Sequence, residues 1–226
     1  MSHTTGLMRL LAAAVAAGLP IAAAAEPMTS EGITFSDELG GFVIRSLSGS
    51  GRLDDPFVLV EEVTGDGEAV LVVRGLEKEF GNRVDTQHAT GFALHKVVIN
   101  SSNRNWITYE IELREARAAS SPYEDGLSFG QAADRPPVRS DRFEAVATVD
   151  EPYDGLSFQD GMVAPGNSVT FTMIVTDETP RSEFLIVQHA LLVVSDARPL
   201  DGGLERTKQD GYSAAMIDFR GGSTTP

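Results

Sequence analysis

The sequence predicts an all-β protein, a single antiparallel β-sandwich of about eight or nine short strands. Three observations point there. Apolar residues recur with period two rather than 3.6, the spacing of a half-buried strand. Nearly every boundary between such runs carries Gly, Pro, Asn or Asp, which supply turn dihedrals. No long amphipathic helical stretch interrupts the series.

Phe42 to Leu47 and Phe57 to Val63 are the first β-rich runs, set apart by Gly49-Ser-Gly51 and Asp54-Asp-Pro56. Ala69 to Val73 follows the turn signal Gly65-Asp-Gly67, so 57–63 and 69–74 are expected to form a hairpin. Phe92 to Ile99 alternates loosely around His95 and Lys96. In Trp106 to Leu113, Trp106, Thr108, Glu110 and Glu112 take one face, and Ile107, Tyr109, Ile111 and Leu113 the other. The polar loop Asn100 to Asn105 makes these two runs a second expected hairpin. Phe143 to Val149, Val169 to Thr176 and Glu183 to Val194 continue the set, with Ala214 to Phe219 as a short last strand. Only Glu77–Phe80 and Leu113–Ala119 have the composition for a turn or two of helix.

Residues 1–25 read as a secretory signal peptide. Arg9 is the charge of its n-region, Leu10 to Ala17 its apolar run, and Ala23 and Ala25 its small cleavage-site residues. Cleavage falls between Ala25 and Glu26, and Glu26 is the first acidic residue of the chain. Gly18 and Pro20 break the apolar run well short of the ~20 residues a membrane span needs. Downstream, the longest apolar run, Phe184 to Val194, contains Gln188 and His189 and reads as core strand, so no transmembrane segment is expected in the mature chain. The organisation expected is therefore a signal peptide at 1–25, a lead segment at 26–40, one sandwich domain at 41–219 and a flexible tail at 220–226. The location expected is periplasmic or secreted.

Composition narrows the chemistry. The chain has 226 residues, 42% of them hydrophobic, enough for a self-sufficient core. A formal charge of -15 argues against nucleic acid, which needs clustered Lys and Arg. The absence of cysteine excludes disulfides, thiolate-bound metals and cysteine nucleophiles. His88, His95 and His189 show no metal-ligand spacing such as H-x-H. No cofactor is expected. If the oxygen-rich loops hold a cation it is calcium, at Asp54-Asp55, Glu124-Asp125, Asp150-Glu151-Asp154 with Asp160, or Asp177-Glu178. The plainer reading makes most of these acids solvated turn residues. None matches a calcium-loop motif.

The most distinctive feature is an internal echo. Pro122-Tyr-Glu-Asp-Gly-Leu-Ser-Phe129 returns as Pro152-Tyr-Asp-Gly-Leu-Ser-Phe158 with one residue deleted. Read functionally, the two loops form a paired binding site, with Tyr123 and Tyr153 as contact surfaces and Asp125 and Asp154 as carboxylates able to hold calcium. The plainer alternative makes both copies turns leading into strands, with Leu and Phe plugging the core. The first copy also contains Gly126-Leu-Ser-Phe-Gly130, the G-x-S-x-G spacing of a nucleophile elbow. It lacks the preceding strand and following helix that the elbow requires, which argues against Ser128 as a nucleophile.

Two phrases carry a resemblance. Val97 to Leu113 is a strand, an Asn/Ser turn and a tryptophan-led strand; in Val163 to Val175, Pro-Gly introduces a strand. Both resemble immunoglobulin-like sandwiches of bacterial secreted and surface proteins. The resemblance implies architecture and brings no functional residue with it.

The expected function is a non-catalytic binding or structural module of the cell envelope or extracellular space. Its partner would be an envelope protein or a polysaccharide. The rivals are a secreted hydrolase using carboxylates or a Ser/His pair, and a subunit of a larger surface assembly.

Overall fold

Strands and turns account for the whole of the computed structural model over the residues it describes, which are 26–120, 126–130, 138–149 and 154–192; no helix occurs among them. The strands are β1 (Met28–Ser30), β2 (Ile33–Ser36), β3 (Phe42–Ser48), β4 (Phe57–Val63) and β5 (Ala69–Arg74). There follow β6 (Thr90–Asn100), β7 (Trp106–Ala116), β8 (Ala119–Ser120), β9 (Leu127–Ser128) and β10 (Arg139–Ser140). The last four are β11 (Phe143–Val149), β12 (Gly155–Gly161), β13 (Ser168–Asp177) and β14 (Glu183–Leu192).

They build two sheets. One has the order β1-β2-β5-β14-β7-β12-β11, with β8 also on β7. The other has the order β10-β13-β6-β4-β3, with β9 also on β13. Every pairing is antiparallel except β4 with β6, which run parallel. The inward side chains of both sheets belong to one hydrophobic cluster: Phe35, Leu71, Tyr109, Phe158 and Ile186 from the first, Phe57, Leu94 and Phe171 from the second. This is a sandwich-like arrangement in which each sheet hides its apolar face against the other.

Neither expected hairpin exists. Strand β4 lies in one sheet and β5 in the other, and the same is true of β6 and β7. A Gly-Asp-Gly or Asn/Ser loop serves an arch between sheets as well as a hairpin within one. Alternation says which face is apolar, not which strand sits alongside. The β6–β7 arch is fastened by Asn100, whose Nδ2 donates to the carbonyls of Arg104 at 2.8 Å and Val163 at 2.9 Å.

Three further differences have local causes. Strand β7 carries an irregularity where Leu191 and Leu192 meet Thr108 and Trp106, so its phase slips. Tyr109, Ile111 and Leu113 point inward as read, but Trp106 joins them and Ile107 is left 41% exposed. Leu113–Ala116 continues as strand, while Glu77–Phe80 is a single turn closed by the Phe80 N–H on the Glu77 carbonyl at 3.0 Å. Residues 28–36, placed by sequence in a lead segment, supply two strands of the first sheet, with Ile33 and Phe35 fully buried. The expected strand at Ala214 to Phe219 and the tail at 220–226 lie outside the described residues, as does the leader at 1–25. No helix among the described residues is long and apolar enough to cross a membrane.

Candidate functional site

The expected paired site is only partly within the described residues. Tyr123, Asp125 and Tyr153 lie outside them, as does Ala25 of the cleavage site; Glu26 is exposed at the first described position. Asp154 is buried just ahead of β12, and its carbonyl accepts the Leu113 N–H at 2.9 Å. The repeated cores are placed in different sheets. Leu127–Ser128 pairs with Thr176 and Asp177 of β13, whereas Gly155–Phe158 lies between β7 and β11. Leu127, Phe129, Leu156 and Phe158 all enter the main core, so the echo repeats a way of plugging the sandwich.

Ser128 is buried, and its hydroxyl meets Thr176 Oγ1 at 3.1 Å. His88 Nδ1 reaches the same threonine oxygen at 2.9 Å. The Thr176 hydroxyl therefore stands between His88 and Ser128, and among the described residues the two make no direct pair. His95, partly exposed on β6, is held below its usual pKa by burial and by the charge of Arg139. Among the described residues no three His, Asp or Glu side chains converge as a metal site.

The convergent polar chemistry is instead in the middle of the core. On β4, Phe57, Leu59, Glu61 and Val63 face inward, so Glu61 occupies an apolar phase. On β6, Lys96 falls in the inward series with Phe92, Leu94 and Val98. The parallel register sets Lys96 opposite Leu59 and Glu61 opposite Val98, two residues apart on one face. From the other sheet, Gln188 replaces an apolar residue in the series Phe184, Ile186 and Ala190 of β14, and Tyr109 comes from β7.

These four side chains form one chain of contacts across the sandwich. Tyr109 Oη donates to Gln188 Oε1 at 2.6 Å, and Gln188 Nε2 donates to Glu61 Oε2 at 2.6 Å. The Lys96 ammonium is paired with that same carboxylate oxygen. The side chains of Glu61 and Lys96 are 0% exposed. The amide orientation follows from the partners: a carboxylate only accepts, so the NH2 end faces Glu61 and the carbonyl faces Tyr109.

The pairing is incomplete. Glu61 Oε1 has no hydrogen-bond partner among the described residues, and Lys96 Nζ lies 5.7 Å from the centroid of the Phe42 ring. Burial lowers the Lys96 pKa against the opposing pull of Glu61. Burial, then the Glu61 charge, raises the Tyr109 phenol well above its ordinary value. An ion pair this deep rarely recovers its desolvation energy, so its presence in an otherwise largely apolar core calls for a reason.

A sequence signal for it exists. Glu61, Lys96 and Gln188 are each the polar exception in the inward phase of a strand, and only the sheet order brings the exceptions together. No family model matches the chain, and no curated protein or solved structure matches it.

Proposed function

We propose that the chain is an exported, non-catalytic binding or structural module built on an immunoglobulin-like sandwich. The observation that carries this reading is the closure of the core network: Glu61 and Lys96 are 0% exposed, and Tyr109 and Gln188 1%. Groups sealed to that degree do not meet a diffusing substrate, and the Ser128 hydroxyl is sealed as well. What remains for a partner is the surface. We assign an envelope protein, a polysaccharide or calcium to the two repeated Pro-Tyr loops, of which Tyr123, Asp125 and Tyr153 lie outside the described residues and Asp154 is buried at the start of the second core.

The leader-like residues 1–25 and the absence of cysteine support export of a fold that needs no disulfide. The test is a thermal-shift series on the chain from Glu26 onward with calcium and with cell-wall glycans. A ligand-dependent rise in Tm that disappears in Asp125→Asn, with the ligand-free Tm unchanged, is the expected result. A Tm that no ligand moves removes these loops as the site. Turnover of an ester or glycoside substrate that is lost in Ser128→Ala replaces the module reading with the hydrolase.

A further inference from the structure

We propose that Lys96 and Gln188 become joined by an amide bond through the core, in a self-catalysed reaction with Glu61 carrying the proton and Tyr109 holding the carbonyl. The network already contains each part that a transamidation needs, and both reactants belong to the chain itself. A site closed to solvent is therefore no obstacle.

The Gln188 carboxamide is gripped at both ends. Tyr109 Oη sits 2.6 Å from the carbonyl oxygen, where negative charge develops as a nucleophile adds to Cδ. Glu61 Oε2 lies 2.6 Å from Nε2, the atom that must leave, and the same oxygen holds Lys96 Nζ, the atom that must attack. One carboxylate oxygen thus touches both the nucleophile and the leaving group. That is the position from which a proton is taken from one nitrogen and given to the other. The strands keep these atoms in register from two sheets, so most of the entropy of bringing them together is already spent in folding.

The step balances without a co-reactant. Glu61 first takes a proton from the Lys96 ammonium, which desolvation favours because it replaces two buried charges with two neutral groups. The Nζ lone pair adds to Cδ of Gln188, and the carbonyl electrons move to Oε1 against the Tyr109 hydroxyl. The carbonyl re-forms, the Cδ–Nε2 bond breaks, and Nε2 leaves as ammonia with one proton from the former lysine amine. The products are one secondary amide, one ammonia and a protonated Glu61. Exclusion of water keeps hydrolysis of Gln188 from competing.

The product would tie β6 of one sheet to β14 of the other in a chain that has no cysteine for the purpose. It would also remove the buried ammonium from the core.

Intact-mass spectrometry of the purified full chain, folded and then denatured, decides the matter. The expected mass is that of the sequence, after any leader cleavage, less one ammonia. Tryptic digestion should yield a branched peptide joining the segments that contain Lys96 and Gln188. Glu61→Gln and Lys96→Arg should each restore the full mass, and their Tm should fall below that of the parent. If either variant fails to fold, the mass and branched peptide of the parent still settle the question. A parent with the full sequence mass overturns the proposal. Loss of water with a branch at Glu61 overturns it too, since that is a direct Lys96–Glu61 amide. So does loss of ammonia that maps to an asparagine or persists in Glu61→Gln.

Discussion

A lone ammonium in a hydrocarbon core is far more costly than one with a carboxylate beside it, and Lys96 allows the difference to be measured. In Glu61→Leu the lysine is left buried opposite an apolar side chain. In E61L/K96M the charge is gone and the space is filled by an unbranched apolar side chain of similar reach. Neither variant can form the Lys96–Gln188 amide through Glu61, so the comparison isolates the charge. We expect the single variant to be less stable than the double by about 3–5 kcal/mol in urea denaturation. Equal midpoints would mean that water reaches Lys96. The polar exceptions themselves are visible in the sequence: Glu61 shares a phase with Phe57 and Leu59, Lys96 with Phe92 and Leu94, Gln188 with Phe184 and Ile186. Their meeting is not, because it depends on β4 running parallel to β6 and on β14 crossing above them. Period-two patterning places a residue on a face and is silent about its neighbours on the next strand.

Between elements, the clearest electrostatic tie joins β2, β5 and β14 at one end of the first sheet. Arg74, closing β5, donates to both oxygens of Glu38 at 3.0 and 2.6 Å and to Glu183 Oε2 at 2.7 Å. The Arg74 hydrogen bonds, with a further one from the Ser36 hydroxyl at 2.8 Å, hold the Glu38 carboxyl down to about 2. Because the folded value is lowered, the unfolded chain binds the proton more readily. The stabilisation is present above the ordinary carboxylate pKa of 4.5 and is lost as pH falls towards about 2. The pair is about 40% exposed, so the effect is modest and sensitive to salt. In Glu38→Gln the Tm deficit against the parent should therefore be greatest above pH 5 and close as the pH approaches 2. A deficit constant with pH would show that the carboxylate charge is not what matters. The β3–β4 hairpin depends on backbone geometry instead. Gly49 has φ +84°, and a Cβ there would lie 1.9 Å from the Pro56 carbonyl oxygen. Gly49→Ala should cost about 1–3 kcal/mol in urea titration, and a silent substitution would mean the turn readily rearranges. Sequence punctuation marks this turn correctly. The same kind of punctuation at Gly65-Asp-Gly67 marks an arch, because the turn residues do not record to which sheet the next strand returns.

At the scale of the molecule, the question is where the folding unit begins. Composition suggests 41, since the runs before it are short and punctuated by Glu31-Gly32 and Gly40-Gly41. The sheet order argues for a start no later than 28. Strand β2 pairs with β5 through Thr34, Phe35 and Ser36, and β1 pairs with β2 beyond it. Phe35 lies edge-on to Phe57 and Phe92, with centroids 5.5 and 6.1 Å apart, so this first strand pair fills part of the core between the sheets. A chain beginning at Gly41 loses the burial of Ile33 and Phe35, each worth about 1.5–3 kcal/mol. It also strips the partner from one side of β5, whose residues Ala69 to Val73 are all buried, and creates an apolar sheet edge. Those losses approach the whole stability of an ordinary domain, which is about 5–15 kcal/mol. The chain beginning at Glu26 should unfold in one cooperative transition, whereas the chain beginning at Gly41 should be found in the insoluble fraction or as soluble aggregate by size-exclusion chromatography. A monomeric chain from Gly41 with an unchanged urea midpoint would show that β1 and β2 are an ornament on the sheet. The burial of Ile33 and Phe35 at 0% exposure is the reason to expect otherwise.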